Sequence, residues 1–327
     1  MDYLQLGHSS ARISRIGLGC MNFVAGYGPS DKATSFRCLD RAYEKGIRFL
    51  DTAELYGRGA SEELLGEYLA QTGRAFTIAS KAGIRPGHDP QFDNSAPYLR
   101  QAIEGTLKRL RRDHIDLYYL HRREQARPVE EVVETMAALI KEGKIGGYGL
   151  SEVAPYTLRR AHSVHPVSAV QNEYSLWTRL PELGMLQACA ELGVTFVAFS
   201  PLGRGMFGEG FPDLSKFEPN GFITSMPRFQ SPNFELNCAK ITPFKEWAQD
   251  QGWTVPAAAV AWVLDQGAHL VPIPGTRTAE HLDDWVDACD ITFTDAQRDE
   301  IKRLLPVGFA YGDRYSVAQN VAPERYS

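Results

Sequence analysis

Short apolar runs alternate with longer amphipathic stretches along the whole chain. Eight of the runs read as strands: Arg15–Gly19, Gly46–Leu50, Ala75–Ala79, Ile115–Leu120, Ile145–Leu150, Val167–Gln171, Val194–Phe199 and His269–Ile273. Helical spacing is predicted between them, over Asp31–Lys45, Ser61–Gln71, Ala96–Arg111, Pro128–Glu142, Pro155–His162 and Leu180–Leu192. It returns within Gln251–Gln266, where Pro256 is tolerable in a first turn, and over Thr278–Asp287 and Thr294–Leu305. Asp31 stands near a cap position, and Gly46, Gly143 and Gly193 fall where helices should stop. Strictly alternating strands and helices predict an α/β fold, a (β/α)8 TIM barrel forming one domain over residues 1–327. A doubly wound sheet is the rival. It usually carries Gly-x-Gly-x-x-Gly after its first strand, and the segment Cys20–Gly28 does not fit that pattern. Leu4–Ser14 is expected to form a short hairpin plugging the barrel's bottom. Gly203–Asn237 and Pro306–Ser327 lack periodicity, and each is too long for an ordinary connection, so both are expected to be long loops at the C-terminal face.

Composition narrows the classes. The chain of 327 residues carries a net charge of −5 and no basic block, which argues against nucleic acid as a partner. No segment approaches the ~18 consecutive apolar residues of a membrane span. The first residues lack the basic and apolar regions of a signal peptide. Five scattered cysteines without a Cys-x-x-Cys pair suit reduced thiols in the cytoplasm rather than a disulfide framework or zinc site.

The polar residues at the strand ends carry the chemistry. Asp51 ends the second strand and Tyr56 follows in the turn, within Asp51–Gly57. The third strand runs into Lys81 and the fourth into His121. A parallel barrel places its active site at that edge. A free phenol titrates near pH ~10, and a neighbouring ammonium favours its anion, so Lys81, fixed by Asp51, can make Tyr56 a proton donor. His121 can hydrogen-bond the same substrate oxygen. No metal is needed for this chemistry.

These residues resemble the catalytic tetrad of the aldo-keto reductase family. The likeness continues through Gly149–Ser151, Gln171–Tyr174, Phe199–Gly205 and Ile273–Arg277, in the family's order, from Tyr3 to Leu305. It is similar to the branch with bacterial and plant reductases and the relatives of potassium-channel β subunits. The resemblance implies reduction of an aldehyde or ketone, a small-molecule carbonyl substrate, with Tyr56 as general acid and NADPH as cofactor. It assigns Ser151 and Gln171 to the nicotinamide amide, Phe199 to stacking on the ring, and Ser200, Leu202 and Arg204 to the pyrophosphate. Met21 joins the cofactor set. Gly275, Thr276 and Arg277 suit the 2′-phosphate. His281, Asp284 and Trp285 fall where the family often has a basic residue, Glu or Gln, and Asn. That departure leaves NADH possible.

Aromatic residues are expected to wall the substrate pocket: Phe23, Tyr27 and Trp177, with Phe309, Tyr311 and Tyr315 from the tail. Arg122 and Arg123 follow His121, and either can attract an acidic group or be solvated charge. Three other functions stay open: an NAD-linked sugar or alcohol dehydrogenase, a cofactor-binding regulatory subunit with little turnover, and a metal-free isomerase barrel.

Overall fold

The computed structural model describes residues 1–24, 31–85, 87 and 91–326. A hairpin of β1 (Tyr3–Gln5) and β2 (Arg12–Ser14) opens the chain. Eight parallel strands follow: β3 (Leu18–Gly19), β4 (Phe49–Asp51), β5 (Thr77–Ala82), β6 (Leu117–Leu120), β7 (Tyr148–Ser151), β8 (Ala169–Glu173), β9 (Thr195–Phe199) and β10 (Leu270–Ile273). Each pairs with its neighbour in sequence order. The sheet closes on itself where Gly17 N and Gly19 N donate to Pro272 O and Pro274 O, both at 3.0 Å, and Gly19 bridges to Gly275. Helices cover the outside: α1 (Lys32–Glu44), α2 (Ala60–Thr72), α3 (Ala96–Leu110), α4 (Val129–Lys141), α5 (Pro155–Val164), α6 (Met185–Leu192), α7 (Asn233–Asp250), α8 (Val255–Asp265), α9 (Ala279–Asp283) and α10 (Asp295–Leu304). The barrel is the expected fold. No helix among the described residues is long and apolar enough to cross a membrane.

The period of two along each strand creates two cores. Leu50, Ile78, Tyr118, Leu120, Leu150, Val170 and Phe196 pack against the helices. Phe49, Ala79, Leu117, Tyr119, Ala169, Val197, Val271 and Ile273 fill the barrel's interior, joined from below by Leu6 and Ile13 of the hairpin segment. The hairpin is thus the plug that the sequence suggests.

Several expected boundaries move. The strand expected to end at Ala79 runs to Ala82, and the one expected to end at Gln171 runs to Glu173. Their added residues include the charged Lys81 and Glu173, which hide strand in a hydrophobicity pattern although both fall on the inward-facing stripe. The helix expected over Leu180–Leu192 is a 3-10 turn, Leu180–Glu182, then α6, because Gly184 adopts φ 113°. Thr278–Asp287 likewise divides into α9 and a 3-10 turn at Val286–Asp290. Helix α7 was not expected. Pro243 interrupts its pattern, yet buried Ile241, Phe244 and Ala248 hold it on the barrel.

Gly66 lets α2 and α3 meet. A Cβ there would lie 2.3 Å from Arg109 O and 2.9 Å from the Leu110 carbonyl carbon. Alanine normally stabilises a helix interior relative to glycine. Backbone cannot yield as a side chain can, so Gly66→Ala is expected to destabilise by about 1–3 kcal/mol. A urea midpoint that rises instead would refute this packing.

Candidate active site

Inward-facing positions that are apolar low in the barrel become polar at its top. Asp51 lies two residues after Phe49, Lys81 two after Ala79, His121 two after Tyr119 and Gln171 two after Ala169, and Ser151 at the end of β7 is in register with Gln171. Lys81 is fully buried and Asp51 nearly so. The Lys81 ammonium ion-pairs with Asp51 Oδ1, donates to Thr52 O at 2.8 Å, and reaches Tyr56 OH at 3.4 Å. Gln171 Nε2 donates to the other Asp51 oxygen at 2.7 Å. Tyr56 stands edge-on to His121 with ring centroids 5.9 Å apart. The four residues expected to act together are therefore brought together.

Behind them the loop is braced. Glu54 N donates to Lys81 O at 3.0 Å, and the Glu54 carboxylate accepts from Tyr98 OH at 3.0 Å. Buried Glu62 on α2 accepts from Ser80 Oγ at 2.5 Å and Arg109 Nε at 2.6 Å. These bonds fix the turn that carries Tyr56 against β5.

Electrostatics then set the protonation states. Burial alone would lower the Lys81 ammonium, but Asp51 and Tyr56 outweigh it and hold the group above its ordinary value. Burial raises the Tyr56 phenol above its usual value of 10.0, against the pull of Lys81. This differs from the sequence expectation that Lys81 would dominate: the low-dielectric site penalises phenolate more than one ammonium relieves it. Burial, Arg122 and Lys81 together push His121 well below the ordinary imidazole range, so it stays neutral. The site holds a protonated phenol, a neutral imidazole and an ammonium–carboxylate pair, a set able to protonate an oxygen.

A cavity of about 520 Å³ opens over Tyr56 and His121. Of the residues expected at the cofactor, Met21, Ser151, Gln171, Phe199, Ser200, Leu202, Arg204 and Gly275 line it. Polar strand-end side chains, an aromatic face and two glycine-containing loops are a donor set that fits a dinucleotide. Thr276, Arg277, His281 and Asp284 lie outside this lining, on the segment running on from Gly275. Thr276 is buried and accepts from Thr278 N at 3.4 Å. Arg277 is half-exposed and makes no ion pair among the described residues, His281 is exposed, and Trp285 is buried in the core.

Arg204 is not simply turned to the cavity. It pairs with buried Glu173 at 2.7 Å and with Tyr315 OH at 3.1 Å. Arg314 joins the same cluster through Glu152 and, at 3.5 Å, Glu173. Burial pushes both carboxylates up, but these arginines hold them below the usual range. Non-glycine residues take positive φ here: Glu152 at 55°, Ser200 at 51° and Arg204 at 57°. Such strain gathers at functional sites.

The aromatic pocket is built differently from expectation. Phe23 and Trp177 are turned into the packing, at 2% and 4% exposure, and do not line the cavity. Trp177 packs on Phe229 and under Arg228, which removes its ring from the mouth. Tyr27 lies outside the described residues. Of the tail aromatics only Tyr315 reaches the cavity. Phe92 and Phe222, and Gln319, Val321 and Pro323 of the tail, supply walls that sequence reasoning missed. Nothing periodic marked them. The one usable signal was the length of the aperiodic tail.

Comparisons with known proteins give the family. A family model described as the aldo/keto reductase family matches residues 15–306. The chain is 39% identical over 95% of its length to "Probable aldo-keto reductase 1" of Glycine max, of which it covers 91%. It is 36% identical over 93% of its length to an aldo-keto reductase of Schizosaccharomyces pombe whose name specifies NADP(+), covering 92% of it. Among solved structures, the glycerol dehydrogenase of Gluconobacter oxydans is similar with a TM-score of 0.83 and 28% identity, covering 93% of this chain and 95% of that one. The protonated Tyr56 beside a buried Lys81–Asp51 pair thus stands in a chain that belongs to the aldo/keto reductase family of oxidoreductases.

Proposed function

We propose that the protein is an NADPH-dependent reductase of a small aldehyde or ketone, with Tyr56 as the general acid. The observation that carries this reading is the phenol of Tyr56 held 3.4 Å from a fully buried ammonium, in the cavity beside neutral His121. NADPH when bound supplies hydride to the carbonyl carbon, which no side chain can do. Tyr56 delivers its proton to the carbonyl oxygen, and Lys81 stabilises the phenolate left behind. His121 orients the oxygen without competing as an acid. Asp51 holds Lys81 charged, and Gln171 fixes Asp51. Ser151, Gln171, Phe199, Ser200, Leu202, Arg204, Met21 and Gly275 are the residues we assign to the cofactor, with Thr276, Arg277, His281 and Asp284 toward its 2′-phosphate end. The Schizosaccharomyces pombe relative's name supports NADP over NAD.

Tyr56→Phe removes only the phenolic proton. It should lower kcat by about 10²–10⁴ while leaving the NADPH dissociation constant within a few-fold. Steady-state assays with fluorescence titration check this, and a variant that keeps most of its kcat would remove Tyr56 as the acid.

The pH profile follows from the shifts. Tyr56 is raised and His121 lowered, so reduction should vary little around neutrality and fall on the alkaline side as Tyr56 loses its proton; burial also raises Asp51, so an acid-side fall should follow its protonation. Lys81→Met takes away the one strong influence lowering the phenol. The alkaline limb should then move upward while the plateau falls at least about 10-fold. Asp51→Asn should lower the plateau less, because it acts through Lys81, and should move the alkaline limb downward, because the Asp51 charge raises the phenol. An alkaline limb unmoved in both variants would mean the three residues are uncoupled.

Arg277→Ala should weaken NADPH about 10- to 100-fold and NADH much less, since only NADPH carries the 2′-phosphate. Equal losses, measured as dissociation constants, would remove Arg277 from cofactor choice.

A further inference from the structure

Two arginines follow His121, and the fold treats them oppositely. Arg123 is buried and ion-paired with Glu324 of the tail. Arg122 is half-buried and lines the cavity. Its Nη1 donates to His121 O at 2.6 Å and to Ser151 Oγ at 3.0 Å, both neutral acceptors. Its Nε and Nη2 have no hydrogen-bond partner, and no carboxylate pairs with it, among the described residues. A guanidinium has five N–H donors and keeps its charge at any working pH.

The remaining charges of the cavity wall are matched. Asp51 is paired with Lys81, and Arg204 with Glu173. His121 is neutral. Around them the lining is largely apolar, with Leu55, Ile84, Phe92, Phe199 and Val321. The wall therefore carries one positive charge without a direct ion pair, tied to the backbone of His121 itself; Glu152 attracts it only at a distance and is already gripped by Arg314. An apolar surround screens it poorly, which strengthens its attraction for an anion. The planar fork of a guanidinium matches the two oxygens of a carboxylate. A phosphoryl dianion would leave a second charge uncompensated against those apolar walls.

We propose that the preferred substrate is an aldehyde or ketone that carries a carboxylate, docked on Arg122 with its carbonyl oxygen at Tyr56 and His121. This rests on the reductase function proposed above. Arg122 is then the residue that selects acids over neutral carbonyl compounds.

The test uses 3- and 4-carboxybenzaldehyde against their methyl esters, with the full-length protein and NADPH. The wild type should favour the acids in kcat/KM by about 10- to 100-fold, and less as salt rises. Arg122→Gln should abolish that preference, chiefly through KM, and Arg122→Lys should restore part of it. Benzoate, followed by tryptophan fluorescence, gives a second readout: it should bind the wild type saturably and the Arg122→Gln variant at least about 10-fold more weakly. The proposal is overturned if the wild type takes esters as well as acids or if Arg122→Gln lowers both alike. It is also overturned if that variant loses NADPH affinity in place of acid preference. If neither acids nor esters turn over, the reductase function fails instead, and benzoate alone decides Arg122: Arg122-dependent binding upholds the anion site, and its absence removes it.

Discussion

A fully buried lysine is the constraint on which the site depends. Lys81 has no exposed surface, so its charge survives only while Asp51, Thr52 O and Tyr56 OH surround it. Breaking a buried pair leaves an uncompensated charge and costs far more than the pair contributes. The partners cannot drift, and their positions propagate outward. Gln171 is held through Asp51, the Tyr56 turn through Glu54 and Lys81 O, and α2 through Glu62 and Ser80. The active-site geometry is thus preorganised by the cost of exposing or stranding one ammonium.

The second layer is the tail. The described residues after α10 form no regular element, yet they close one side of the cavity with Tyr315, Gln319, Val321 and Pro323. Charged contacts hold them there. Arg314 grips Glu152 beyond β7 and Glu173 at the end of β8. Glu324 takes Arg123 and accepts from Ala154 N at 2.8 Å. Arg204 shares Glu173 with this cluster, so the loop assigned to pyrophosphate and the tail over the substrate side lean on the same carboxylate. Phe309, Tyr315 and Tyr326 pack against the core, and ion pairs that are themselves buried fix the rest of the tail.

Much of this was legible in the chain. The eight strands, the plug and the tetrad follow from local rules: a period of two, a cap such as Asp31, and polar residues at strand ends. The strand ends were misjudged for a physical reason. Lys81 and Glu173 are strand residues that read as loop, because the inward stripe changes from apolar to charged within one strand. Helix α7 was hidden by Pro243, which local propensity opposes and packing overrules.

By itself the sequence determined which side chains stand at the barrel's top, because strand period and order leave them nowhere else to go. Only the tertiary structure decided what each of them meets there. It set Tyr56 above its ordinary pKa and His121 below, since burial is a property of the assembled site. It turned Trp177 and Phe23 into the core and brought Tyr315 and Val321 to the mouth in their place. It also separated Arg123, matched by a carboxylate about two hundred residues away in sequence, from Arg122, left without a direct ion pair in the cavity. Contacts between residues so distant in sequence depend on the closed barrel, and no local pattern encodes them.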